Sequence, residues 1–140
     1  MSGVTAGLLK SRTLTVAIAR DPRTVYAFVS NLENLPKWAP AFCLSIVREG
    51  SGWRIQTPQG PMGIRIAAPN PAGVLDHVVM PAPGVEVFVP MRVVPNGQGS
   101  EVLFTLFHRP DMTAEQFARD AGLVAQDLRS LKRVLESAAG

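Results

Sequence analysis

Cysteine occurs once in this chain, at Cys43, so no internal disulfide can form and a secreted, disulfide-stapled scaffold is excluded. Nothing near Cys43 in the run Ala41-Phe42-Cys43-Leu44 supplies a base, and the thiol reads as buried and inert. Long apolar runs are missing too: no stretch approaches the roughly 18 residues that a membrane-spanning helix needs. Met1 to Ser11 lacks the apolar core and cleavage pattern of a secretory leader, so a cytoplasmic protein is expected. Charge of one sign does not accumulate. The formal net charge is +3 with the basic residues scattered, which leaves no electrostatic footprint for nucleic acid. Histidine is confined to His77 and His108, far apart and without carboxylates at ligand spacing, so neither a metal nor a cofactor is expected. Glycine-rich phosphate loops, paired cysteines and nucleophile elbows are absent as well.

What the sequence does hold is apolar material broken by turns. Of 140 residues 46% are apolar, and 12 prolines and 12 glycines fall mostly between the apolar runs. That pattern fits a sheet with frequent turns better than a helical bundle. Residues 1–11 read as a flexible segment and 12–138 as one folded domain. Arg12 to Ala19 alternates with Leu14, Val16 and Ile18 on one face, the period of a strand. Asp21 then suits an N-cap and Pro22 the first helical position, with Val25, Phe28, Val29 and Leu32 at helical spacing. The stretch from Asn31 to Pro40, carrying Trp38, reads as a second short helix or turn. From Phe42 onward strands are expected at 42–48, 53–57, 62–68, 74–80, 85–94 and 101–108. Asn96-Gly97 marks the clearest hairpin, and closely spaced strands with short turns make an antiparallel sheet.

Thr113 with Gln116 forms a capping box ahead of Phe117, Ala121, Val124, Leu128, Leu131 and Leu135, one apolar stripe at helical spacing. The opposite face carries Arg119, Asp120, Arg129 and Lys132. A strongly twisted sheet curls, and one long helix laid in its concave face leaves part of the hollow unfilled. The small residues Ala118, Ala121, Gly122 and Ala125 suggest that the space lies under the helix's N-terminal half.

The run Val16-Ala17-Ile18-Ala19-Arg20-Asp21-Pro22-Arg23-Thr24-Val25-Tyr26, followed by Leu35-Pro36-Lys37-Trp38, resembles the START-related helix-grip superfamily. So does the ending from Asn96-Gly97 to Phe107 and the long helix, which is similar to bacterial polyketide cyclase/dehydrase-like members. The resemblance implies an α+β helix-grip fold, a seven-stranded curved antiparallel sheet around the C-terminal helix with two short helices after the first strand. It also implies a cavity for an apolar small molecule. Members include lipid carriers, hormone receptors and aromatase/cyclases, so the fold alone does not name the function.

Register decides which polar groups look inward. Pairing Pro95 with Ser100 sets Val93 against Val102 and Met91 against Phe104 on an apolar inner face, with His108 at its end. In the middle strands Trp53, Ile55, Met62, Ile64 and Ile66 share a face with His77, which is placed opposite Ile64. The turn at Pro81 to Gly84 puts Glu86 on that face beside Val79. That parity conflicts with inward Val87 and Val89 unless a bulge near Pro90 corrects it. Trp38, Trp53, Ile64, His77, Glu86, Met91, Phe104, His108, Phe117 and Ala121 are therefore the candidate ligand-binding residues. Two readings of His77 stand: a neutral side chain satisfied by a neighbour, or a donor or general acid/base oriented by Glu86 or Asp76. The first function to follow is binding of an apolar or aromatic, lipid-like or polyketide-like molecule. The alternative is a cyclase/dehydratase-type enzyme using His77 with Glu86 or Asp76. Outward Phe88, Leu103 and Phe107 make an apolar patch suited to a homodimer.

Overall fold

The computed structural model describes residues 7–137. Of the segment expected to be flexible, residues 1–6 lie outside the described ones, and Lys10 and Ser11 already open the first strand, β1 (Lys10–Ile18). Asp21 caps α1 (Pro22–Ser30), its Oδ1 accepting from the Thr24 N–H at 2.7 Å. A single 3-10 turn (Leu32–Asn34) leads into α2 (Leu35–Trp38). There follow β2 (Ser45–Glu49), β3 (Gly52–Thr57), β4 (Gly60–Ile66), β5 (His77–Ala82), β6 (Val85–Val89), β7 (Met91–Asn96), β8 (Gly99–His108) and α3 (Ala114–Ser137).

The strands form a three-stranded sheet, β1-β8-β7, and a five-stranded sheet, β2-β3-β4-β5-β6, antiparallel throughout. The expected strand over 85–94 is thus two strands parted at Pro90, and the count rises from seven to eight. Proline lacks the N–H that a continuous ladder needs there. The two sheets are nonetheless stitched across the break. Val93 N–H donates to the Gly73 carbonyl at 3.0 Å, Leu75 N–H to that of Met91 at 2.8 Å, and Thr105 N–H to that of Pro90 at 3.0 Å.

The hairpin register is the expected one, with Met91 opposite Phe104, Val93 opposite Val102 and Pro95 opposite Ser100. Two details of the middle strands differ from the sequence reading. His77 pairs with Ile66 rather than Ile64, and a bulge lies between Val79 and Ala82, so that Val79 faces Val87. Pro81 lies within that irregularity and Pro83 just beyond it, and neither can donate to a ladder. The parity change puts Val87 and Val89 inward and Glu86 outward. The sequence expectation of an inward Glu86 is corrected on this ground.

Thr113 and Gln116 close the capping box: the Gln116 N–H donates to Thr113 Oγ1 at 3.0 Å and the Thr113 N–H to Gln116 Oε1 at 2.8 Å. Helix α3 lies chiefly along β1, with α2 and β8 as further neighbours. Ala121, Leu128, Leu131 and Leu135 are buried on its inner stripe. Its last turns are also held by polar bonds. Lys132 Nζ donates to the Ala17 carbonyl and to Glu136 Oε2, both at 2.8 Å, and Glu136 Oε2 accepts from the Ala19 N–H at 2.8 Å. Arg20 Nη1 reaches the Leu135 carbonyl at 2.7 Å. No described helix is long and apolar enough to cross a membrane.

Candidate functional site

Cross-strand pairs put Ile46 and Ile55, Trp53 and Ile64, Ile66 and His77 on one face of the five-stranded sheet. Its middle is core: Ile55 is 0% and Ile64 2% exposed. Around that middle Trp53, Met62, Ile66 and Val87 are only half-buried, although they belong to the inward face. Helix α3 packs chiefly on β1 rather than on the larger sheet. Large apolar side chains that stay part-exposed on a concave surface are the usual lining of a small-molecule site. Of the small residues on α3, Ala118 and Gly122 are exposed and Ala121 is buried, while Ala125 lines a cleft between the helix and β1. Two clefts of about 190 Å³ and 300 Å³ lie elsewhere, on the β1 flank. The first runs between Arg12–Val16 and Arg129, the second beside Ile18 and Lys132, and no candidate residue lines either.

His77 stands on that same inward face, opposite Ile66. Its Nδ1 lies 3.1 Å from the Leu75 carbonyl oxygen. A carbonyl only accepts, so Nδ1 carries the proton and the neutral ring presents a lone pair at Nε2, which has no partner among the described residues. The ring stands edge-on to Phe104, centroids 5.7 Å apart. Burial lowers the imidazole pKa, outweighing the Leu75 carbonyl and the Asp76 charge, which raise it. A base whose folded pKa is depressed favours folding fully above the unfolded value near 6.5, and that contribution is lost as pH falls. Unfolding free energy should therefore decline below pH 6.5 by at most about 1.4 kcal/mol per pH unit for this one group. Urea titrations of His77→Asn should lack that component; an unchanged pH profile would reject the assignment.

The other candidates separate clearly. Ile64 and Met91 at 2% exposure, Trp38 at 5% and Ala121 at 1% are packed core. Trp53, His77, Phe104, His108 and Phe117 are half-buried. His108 stacks on Phe117 with centroids 4.8 Å apart and an 8° tilt, while its Nε2 donates to the Met112 carbonyl at 2.8 Å. It joins the end of β8 to the start of α3. Neither carboxylate expected beside His77 meets the imidazole. Asp76 Oδ1 accepts from the Met91 N–H at 2.8 Å and Oδ2 from Arg92 at 3.4 Å. Glu86, on the outer face, takes both nitrogens of Arg65, at 3.1 and 3.2 Å.

A profile described as polyketide cyclase/dehydrase and lipid transport matches residues 11–136. The chain belongs to that family. No curated protein matches it. Among solved structures it is similar to the Zhui aromatase/cyclase from Streptomyces sp. R1128, with a TM-score of 0.73, 13% identity, and 95% of this chain and 97% of that one covered. The protein XoxI from Bacillus cereus superposes with a TM-score of 0.72 at 18% identity, covering 90% and 95%. Ara h 8.0201 gives 0.67 at 17%, covering 93% and 99%. At such identities the likeness establishes the helix-grip architecture and nothing finer.

In this polyketide cyclase/dehydrase and lipid transport family member, three charged or polar side chains escaped the sequence reading. Asp120 is half-buried, with a pKa raised by burial against the pull of Arg109 and Arg119, and no bonding partner among the described residues. Its place beside the Phe117–Val124 stripe follows from helical geometry, and only its charge suggested the solvent face. Asp127, 5% exposed, accepts from the Ala41 N–H at 3.1 Å and ties α3 to the loop after α2; burial raises its pKa too. Desolvation, aided by Asp127, pushes the neighbouring Cys43 thiol up to about 11, so it stays protonated at neutral pH. Arg48 is the third. It pairs in register with Trp53 and so stands on the concave face.

Proposed function

We propose that this family member binds an apolar or aromatic small molecule in the hollow between the concave face of the five-stranded sheet and α3. His77 Nε2 accepts a hydrogen bond from the ligand's hydroxyl. The observation that carries the reading is one arrangement: an inward sheet face of half-buried Trp53, Met62, Ile66 and Val87 around one oriented, unpartnered imidazole nitrogen. The family includes lipid transport by description, and an aromatase/cyclase shares the fold. A cyclase or dehydratase would need His77 coupled to a second acid or base. Asp76 and Glu86 are engaged elsewhere, and His108 is bonded to the chain turn before α3. Binding is therefore the better-supported reading.

Purified full-length protein, stripped of bound lipid, should take up N-phenyl-1-naphthylamine with one-to-one stoichiometry and a rise in probe fluorescence. 1-Naphthol should bind several-fold more weakly to His77→Phe than to the natural chain, through loss of one hydrogen bond worth about 1 kcal/mol. Absence of any uptake of either compound, by fluorescence and by native mass spectrometry, refutes the reading.

A further inference from the structure

The concave face of the five-stranded sheet carries a single charged side chain, and it is a cation. Arg48 pairs with Trp53 across β2 and β3, and its guanidinium carbon sits 4.4 Å from the centre of the Trp53 ring. Stacking of that kind fixes the plane of the guanidinium while leaving its edge, with the N–H donors, free. No carboxylate among the described residues claims those donors. Glu49, the next residue along β2, points to the other face and bonds Arg54 at 3.4 Å. Arg65, Arg92 and Arg109 have their own carboxylates in Glu86, Asp76 and Asp111. Arg48 is thus an oriented cation without a carboxylate partner among the described residues, on the edge strand of the inward face with Trp53 directly beside it.

We infer that the ligand is an amphipathic anion, an apolar body bearing a carboxylate that Arg48 holds at the rim while the body lies on Trp53. This rests on the binding reading above and specifies the ligand class. A guanidinium matches a carboxylate through two parallel N–H···O bonds. His77 lies three strands from Arg48 and further along the same face, about 15 Å away at ordinary strand spacing. The carboxylate and the group met by His77 are therefore opposite ends of one molecule, not one polar head.

The test displaces N-phenyl-1-naphthylamine, which is uncharged, with dodecanoate and with dodecanol at pH 8. The natural chain should be about tenfold more sensitive to dodecanoate, the worth of one charge-assisted hydrogen bond. In Arg48→Gln dodecanoate should fall to the level of dodecanol; in Arg48→Lys part of the preference should remain. Arg54→Gln, on the outer face of the adjacent strand, should keep the full preference. Equal sensitivity to the two compounds in the natural chain, or a preference that survives Arg48→Gln, overturns the anion claim and leaves the binding reading standing. Failure of the naphthylamine and both competitors to bind overturns both. Arg48 is exposed on an edge strand, so Arg48→Gln should melt within a few degrees of the natural chain, which circular dichroism verifies.

Discussion

Gly73→Ala should lower the melting temperature by about 10 °C or more, a loss of roughly 3 kcal/mol for a chain of this size. Gly73 has φ +73, and an added Cβ would collide with the Val93 carbonyl oxygen. That oxygen belongs to backbone that cannot step aside, because the Val93 N–H is bonded to the Gly73 carbonyl at 3.0 Å. Two costs combine: the left-handed conformation, about 1 kcal/mol for alanine, and rupture of the stitch between the two sheets. Gly84→Ala is the matched control. Its φ is +76 but the space around a new Cβ is open, so only the conformational cost of about 1 kcal/mol applies. Thermal unfolding of both proteins followed by circular dichroism decides the matter. Equal shifts for the two would show that the contact with Val93 does not hold the sheets together.

That stitch also explains what the sequence could and could not tell. Periodicity and turn signals located most of the strands, both helix caps and the register of Met91 against Phe104, because those depend on neighbours close in sequence. The segments that resemble the superfamily have structural jobs: Arg20 reaches the Leu135 carbonyl, Asp21 caps α1, and Tyr26 Oη accepts from the Asn70 N–H at 3.0 Å. Glu86 was misplaced because a single bulge between Val79 and Ala82 reverses every side chain that follows it. Pro81, Pro83 and Pro90 announce irregularity without fixing on which residue the parity changes. Asp76 looked like a partner for His77 by adjacency, yet the break at Pro90 leaves the Met91 N–H in need of an acceptor, and Asp76 supplies it. Arg48 was legible in principle, two residues from Ile46 on the same face, but its meaning depends on Trp53 across the ladder. Asp120 and Asp127 lie on the flanks of the α3 stripe, where periodicity does not distinguish a half-buried acid from a solvated one.

Helix α3 divides into two halves with different work, and Leu131→Ala against Phe117→Ala separates them. Leu131 is 0% exposed, within the cluster that includes Ile18, Val102, Leu128 and Leu135, and the polar latch of Lys132, Glu136 and Arg20 keeps the helix from settling into a void there. Truncation should cost about 3–4 kcal/mol and bring the melting temperature down by about 10–15 °C. Phe117 is half-buried at the other end and stacked on His108. Its truncation removes less buried surface and should cost about 1–1.5 kcal/mol. The order reverses for ligand uptake. Measured at 10 °C, where both variants remain folded, Leu131→Ala should bind N-phenyl-1-naphthylamine within about twofold of the natural chain, whereas Phe117→Ala should weaken it about five- to tenfold through loss of part of the apolar wall. Should Phe117→Ala destabilise the fold as much as Leu131→Ala, both ends of the helix belong to one continuous core, and the hollow is not where the half-buried side chains place it.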